Sequence, residues 1–120
     1  MKTFLAVAGA AAILCGVGVR SFAAGPIVGY VSDQECALKS AKASTAKAWI
    51  QPAVFESCVK DCLNKDGGEA VFVTEDNKIL KFDAASKKKI DAFIGHKVSV
   101  TGTVEAGTIK IDTIAGLKLQ

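Results

Sequence analysis

Residues 97–112, "KVSVTGTVEAGTIKID", alternate apolar and polar side chains on both sides of an Ala106-Gly107 break. A period of two puts Val98, Val100 and Val104 on one face of a strand and Lys97, Ser99, Thr101 and Thr103 on the other. Ile109 and Ile111 repeat the pattern against Lys110 and Asp112, so the stretch reads as a β-hairpin. Gly102 interrupts the apolar series as a bulge or bend does. A second hairpin reads from "EAVFVTEDNKILKFD", with strands near 70–74 and 78–82 and a turn through Glu75-Asp76-Asn77. A fifth strand, "IVGYVSD", precedes both at 27–33.

Between the first strand and the first hairpin the periodicity changes. Ser32 and Glu35 have the S-x-x-E spacing of a helix capping box. The Ala-, Lys- and Ser-rich run after them reads as a helical turn fading into loop. Its Lys39, Lys42 and Lys47 form a solvated face, and Trp49 packs over a core edge. After Pro52, residues Phe55, Cys58, Val59, Cys62 and Leu63 recur at helical spacing, opposite Glu56, Ser57, Lys60, Asp61, Asn64 and Lys65. That amphipathic helix places both cysteines on its apolar stripe and stops at Gly67-Gly68. Asp83 caps a third helix, "AASKKKIDAFI", with Lys87, Lys88 and Lys89 outward and Gly95 at its end. The order predicts an α+β chain: a small five-stranded OB-like Greek-key barrel, with a helical insertion after strand 1 and a helix between strands 3 and 4. A generic sheet with helices on one face is the competing architecture.

The first residues set the compartment. Lys2, an uncharged stretch from Phe4 to Val19, and Ser21-Phe22-Ala23 make the three regions of a secretory signal peptide, with cleavage expected after Ala23. The apolar stretch is shorter than the roughly 20 residues of a membrane span. Residues 24–120 are then one small domain, periplasmic or secreted, with no span after processing. Lys2 and Arg20 leave with the leader, so the +3 formal charge shrinks and carries no argument for nucleic acid.

The N-terminal "GYVSDQEC" and the later "CVKDC" resemble a group of small secreted bacterial proteins with a G-x-V-S-D-x-x-C start and a C-x3-C helix. The tail is similar to the closing hairpin of exported bacterial OB-fold proteins. A Gly and a His commonly follow the first cysteine of that group; here Ala37 and a His-free stretch replace them. The resemblance implies an OB-like fold and an exported compartment, and no reaction.

Loss of Cys15 with the leader leaves Cys36, Cys58 and Cys62. An odd number of thiols in an oxidising compartment suggests one bridge and one leftover. Cys58 and Cys62, four apart on a helix, point side by side and bridge poorly. Cys36 paired with either one closes a loop of about 20–25 residues, worth roughly 3 kcal/mol by chain entropy. The leftover thiol is expected to be inert core. The alternative is a Cu or Zn site, or a redox function, using Cys36, Cys58 and Cys62, with His96 completing a three-cysteine, one-histidine set. In that case a helix N-terminus would lower the pKa of Cys36.

No nucleophile elbow, phosphate loop or HExxH motif occurs. The expectation is a disulfide-stabilised binding or structural module, not an enzyme, with no catalytic residue and no cofactor. A small molecule, a glycan or an envelope protein stay open as partners.

Overall fold

The computed structural model describes residues 21–65 and 67–119. The expected leader lies outside them, apart from the backbone of residues 21–23. Among the described residues, five strands, three α-helices and two short 3-10 turns follow one another. They are β1 (Ser21–Asp33), α1 (Gln34–Lys39), α2 (Phe55–Lys65), β2 (Ala70–Thr74), β3 (Ile79–Phe82), α3 (Ala84–Lys89), β4 (Lys97–Glu105) and β5 (Thr108–Leu117). The 3-10 turns are Ala46–Ala48 and Asp91–Phe93. No helix among the described residues is long and apolar enough to cross a membrane.

The strands close into a ring in the order β1-β2-β3-β5-β4. Pairing is antiparallel except between β3 and β5, where Lys81 and Phe82 run parallel to Thr108 and Ile109. The sheet is therefore mixed, and the fold is α+β. β1 is longer than its apolar period suggests because it serves two neighbours. Gly29–Asp33 pair with β2, while Ser21–Ala24 and Ile27–Tyr30 pair with β4 across a register shift.

Two apolar clusters share the β1–β2 pair. Val31, Phe72, Phe82, Val98, Val100, Ile109 and Ile111 pack together with Ile90. Their alternating neighbours Tyr30, Val71 and Val73 pack instead against Ala37, Ala46, Ile50, Phe55 and Val59 of the 34–65 insertion. Residues 71–73 are consequently buried on both faces of β2. A strand covered on both sides reads as an unbroken apolar run, as Ala70–Val73 does.

The irregularity expected at Gly102 is present, but the extra residue is on the other strand. Thr101 faces Thr113 and Gly102 faces Ile111, which leaves Asp112 as the bulge. Gly102 permits this close approach: a Cβ there would stand 1.9 Å from the Lys110 carbonyl oxygen. The backbone of Ile111 is then satisfied by α3. Its N–H donates to the Ser86 hydroxyl at 2.7 Å, and its carbonyl accepts from Lys89 Nζ at 2.7 Å. Lys89 thus does more than face solvent.

Helix ends also differ from expectation. Asp33 and not Ser32 is the N-cap of α1, its carboxylate accepting from the Cys36 N–H. Asp83 caps α3 as expected, through the Ser86 N–H. α3 ends early, at Lys89, and Asp91–Phe93 continue as 3-10. Gly95 follows with φ +75°, and a Cβ on it would meet the Cα of Glu56 at 2.5 Å. This is where α2 lies against the chain entering β4.

Ser86 is fully buried, so Ser86→Ala strands the Ile111 N–H without a partner. Unfolding in denaturant should show a loss of about 1–3 kcal/mol, read as a lower midpoint at unchanged slope.

Candidate metal centre

The insertion is held by its own packing and by the β2–β3 turn. Phe55 is the hinge of that packing: its ring meets Tyr30 edge-on at 6.1 Å and Trp49 at 6.3 Å. Asn77, at positive φ (65°) in the turn, performs a second task. Its Oδ1 accepts from the Trp49 indole N–H at 2.9 Å, and its Nδ2 donates to the carbonyls of Ser40 and Ala43. The Ala46 N–H adds a bond to the Glu75 carbonyl. The long 40–54 connection is thereby fixed against the ring.

This arrangement brings α1 onto α2 and gathers the three cysteines. The Sγ atoms of Cys36, Cys58 and Cys62 all lie within 4.8 Å of one another. Cys36 and Cys62 are nearest, at 3.9 Å. A disulfide spans about 2 Å. Metal–sulfur bonds of about 2.3 Å instead hold two sulfurs on one ion about 3.8–4.0 Å apart. The observed spacing suits three thiolates around an ion with little movement.

Burial within the trio is graded, and it corrects one expectation. Cys36 and Cys62 are half-buried, but Cys58 is exposed. Cys58 is at the margin of the apolar stripe, while Phe55 and Val59 at its centre are buried. At about 100° per residue, Cys58 points roughly 60° to one side of Phe55 and Val59 roughly 40° to the other. The expectation that both helix cysteines are core is therefore wrong for Cys58.

The expectation of a lowered Cys36 pKa is overturned as well. Burial raises it strongly, and the Asp33 carboxylate and the neighbouring Cys62 raise it further. α1 is too short to offer much dipole, and the Cys36 N–H already bonds to Asp33. Asp33 itself is 1% exposed. Its Oδ2 accepts that N–H at 3.1 Å, whereas its Oδ1 has no hydrogen-bond partner among the described residues. The corner thus gathers a buried carboxylate and sulfur lone pairs, with Lys39 close enough to feel the charge of Cys36 and Cys62. The sequence showed Asp33 only as an interior position of a capping box; an acid three residues before a cysteine was the signal available.

His96 is elsewhere. Its Nε2 is 3.3 Å from Glu56 Oε1 on the outer side of α2, and Glu56 also binds Lys60 at 2.6 Å. Lys60, and to a smaller degree His96, hold the Glu56 carboxyl below its ordinary value. The cluster of metal-type ligands is the three cysteines, without His96. The expected grouping of His96 with the cysteines is corrected: it pairs with Glu56 instead.

A cavity of about 230 Å³ opens beside the trio. Trp49, Val54, Phe55 and Val59 form its apolar walls together with Cys36 and Cys58, and Lys39 stands at its edge. Sequence periodicity gave no sign of this cavity, because its walls come from three separate segments. No protein-family model, curated protein or solved structure matches the chain.

A thiol pKa raised on folding stabilises the native state below the unfolded value, ordinarily 9.0, and that stability is lost as pH rises above it. Melting temperature should therefore fall as pH climbs past 9.0. Asp33→Asn keeps the cap but removes the charge, so Cys36 should alkylate faster at a given alkaline pH. Peptide mass mapping after timed iodoacetamide labelling checks this, with Cys58 labelling first in the unmodified protein.

Proposed function

We propose that the protein is an exported, non-catalytic OB-type barrel whose helical insertion binds one thiophilic ion, Zn(II) or Cu(I), between Cys36, Cys58 and Cys62. The observation that carries this reading is the convergence of three sulfurs from two helices, spaced as on a shared ion. The OB-type assignment is supported by the ring order and by α3 falling between β3 and β4. Export is supported by the signal-type N-terminus and by the likeness to small secreted proteins. Neither the charge nor the described surface gives a reason to invoke nucleic acid.

Titrating the fully reduced protein with Zn(II) or Cu(I), followed by intact mass and thiol assay, tests the proposal. One ion per chain with all three thiols protected is expected. Cys36→Ser, Cys58→Ser and Cys62→Ser should each weaken binding at least tenfold, while His96→Ala should leave it unchanged. Absence of a stoichiometric ion refutes the metal reading.

One observation favours a second reading. Cys36 and Cys62 are the nearest pair, and Cys58 is the exposed remainder. If the module is disulfide-stabilised, the bridge is Cys36–Cys62. Oxidation by a disulfide reagent should then yield that linkage on peptide mapping, with Cys58 as the only alkylated residue. Refolded protein that resists metal and carries this linkage favours the bridge over the ion.

A further inference from the structure

We infer that the cavity beside the three cysteines is a pocket for a small organic thiol, which binds as a fourth ligand to a Zn(II) ion held there. The inference rests on the metal reading above and adds the ligand class.

Three thiolates leave a four-coordinate ion one open position. Cys36 and Cys58 supply ligand sulfurs and also line the 230 Å³ cavity. An ion bound to both is therefore at the cavity wall, and the cavity is the room available to an exogenous donor. A structural zinc site surrounded on all sides would need no such space.

The cavity is preformed. Trp49 is pinned by Asn77 through its indole N–H and braced on Phe55. The adjoining 40–43 loop is fixed by the same Asn77 side chain. Walls held by hydrogen bonds and aromatic packing do not have to be ordered when a ligand arrives, which favours binding.

Chemistry narrows the occupant. The apolar walls of Trp49, Val54, Phe55 and Val59 favour a hydrocarbon or aromatic body. The ion favours a soft sulfur donor. Lys39 is the cation at the edge, paired with Glu35 at 2.7 Å in a solvent-exposed bridge that exchanges readily. It favours an anionic end. Leu38 and Val54 are two of the large exposed apolar side chains, at 58% and 51%. Val54 lines the cavity and Leu38 directly precedes Lys39, which extends the apolar surface at this end of the insertion. The occupant that meets all three demands is an apolar thiol carrying a carboxylate, with about a dozen non-hydrogen atoms at most. On binding, its S–H proton passes to solvent and its sulfur bonds to the ion; no oxidation is involved.

The probe is 4-mercaptobenzoate, added to Zn(II)-loaded protein and followed by native mass spectrometry and calorimetry. A ternary complex of protein, zinc and thiol in equal numbers is expected, at least tenfold tighter than benzoate. Val54→Glu, an exposed change that fills the cavity and repels the carboxylate, should weaken it tenfold without altering zinc stoichiometry. Lys39→Gln should weaken 4-mercaptobenzoate but not benzenethiol. In Co(II)-substituted protein the visible spectrum should shift on adding the thiol. Equal affinity in wild type and Val54→Glu, or removal of zinc with no ternary complex, overturns the pocket while leaving the metal site intact. Failure of zinc to load at all overturns both.

Discussion

The double burial of the β1–β2 pair is the constraint on which the rest of this structure depends. One face of these strands packs inside the ring, and the other needs a cover. The insertion supplies that cover through Phe55, Val59, Ala37 and Ala46. Because Val71 and Val73 must be shielded from water, α1 and α2 are pressed onto the same patch of sheet from opposite ends of a long connection. Their cysteines meet as a consequence of covering the strand. The thiol cluster is therefore a by-product of hydrophobic burial that chemistry can use.

The two hairpins, β2–β3 and β4–β5, could be read from alternation and turn residues because their pairing is local, whereas the β1–β4 and β3–β5 pairings that close the ring join distant segments. The β4–β5 hairpin was legible in Val98, Val100, Ile109 and Ile111, all of which are buried as the period of two requires. Tyr30, Phe72 and Phe82 are all buried, Phe72 and Phe82 inside the ring and Tyr30 beneath the insertion. What alternation cannot show is which strand of a pair carries a bulge. Gly102 marked the place, but the extra residue was Asp112, because the small residue makes room and its partner uses it.

The candidate site was legible only in its ligand types. The helical period put Cys58 and Cys62 on one stripe, yet a stripe has a centre and margins. Tertiary contact with Tyr30 and Trp49 fixed the centre at Phe55 and exposed Cys58. Asn77 shows the same limit from another side. In sequence it is a turn residue, and its left-handed backbone fits that role. Its amide nonetheless fixes Trp49 and the 40–43 loop, 28 to 37 positions away in the chain. A side chain with two donors and one acceptor at a turn tip can serve both tasks; only the fold reveals the second.

The weakest element of the site is the helix that carries Cys36. α1 has six residues, too few to be stable alone in water. Its buried side chain is a single alanine, Ala37, and its exposed Glu35–Lys39 pair adds little. The Asp33 cap starts it, and its Cys36 Sγ meets Cys62 Sγ of α2 at 3.9 Å. An ion or a bridge joining Cys36 to Cys62 would convert that attachment from a van der Waals contact into a bond. A ligand held at the thiols would add its binding free energy to the order of α1, while the 40–54 connection, already fixed through Asn77, and the ring beneath it keep their own packing.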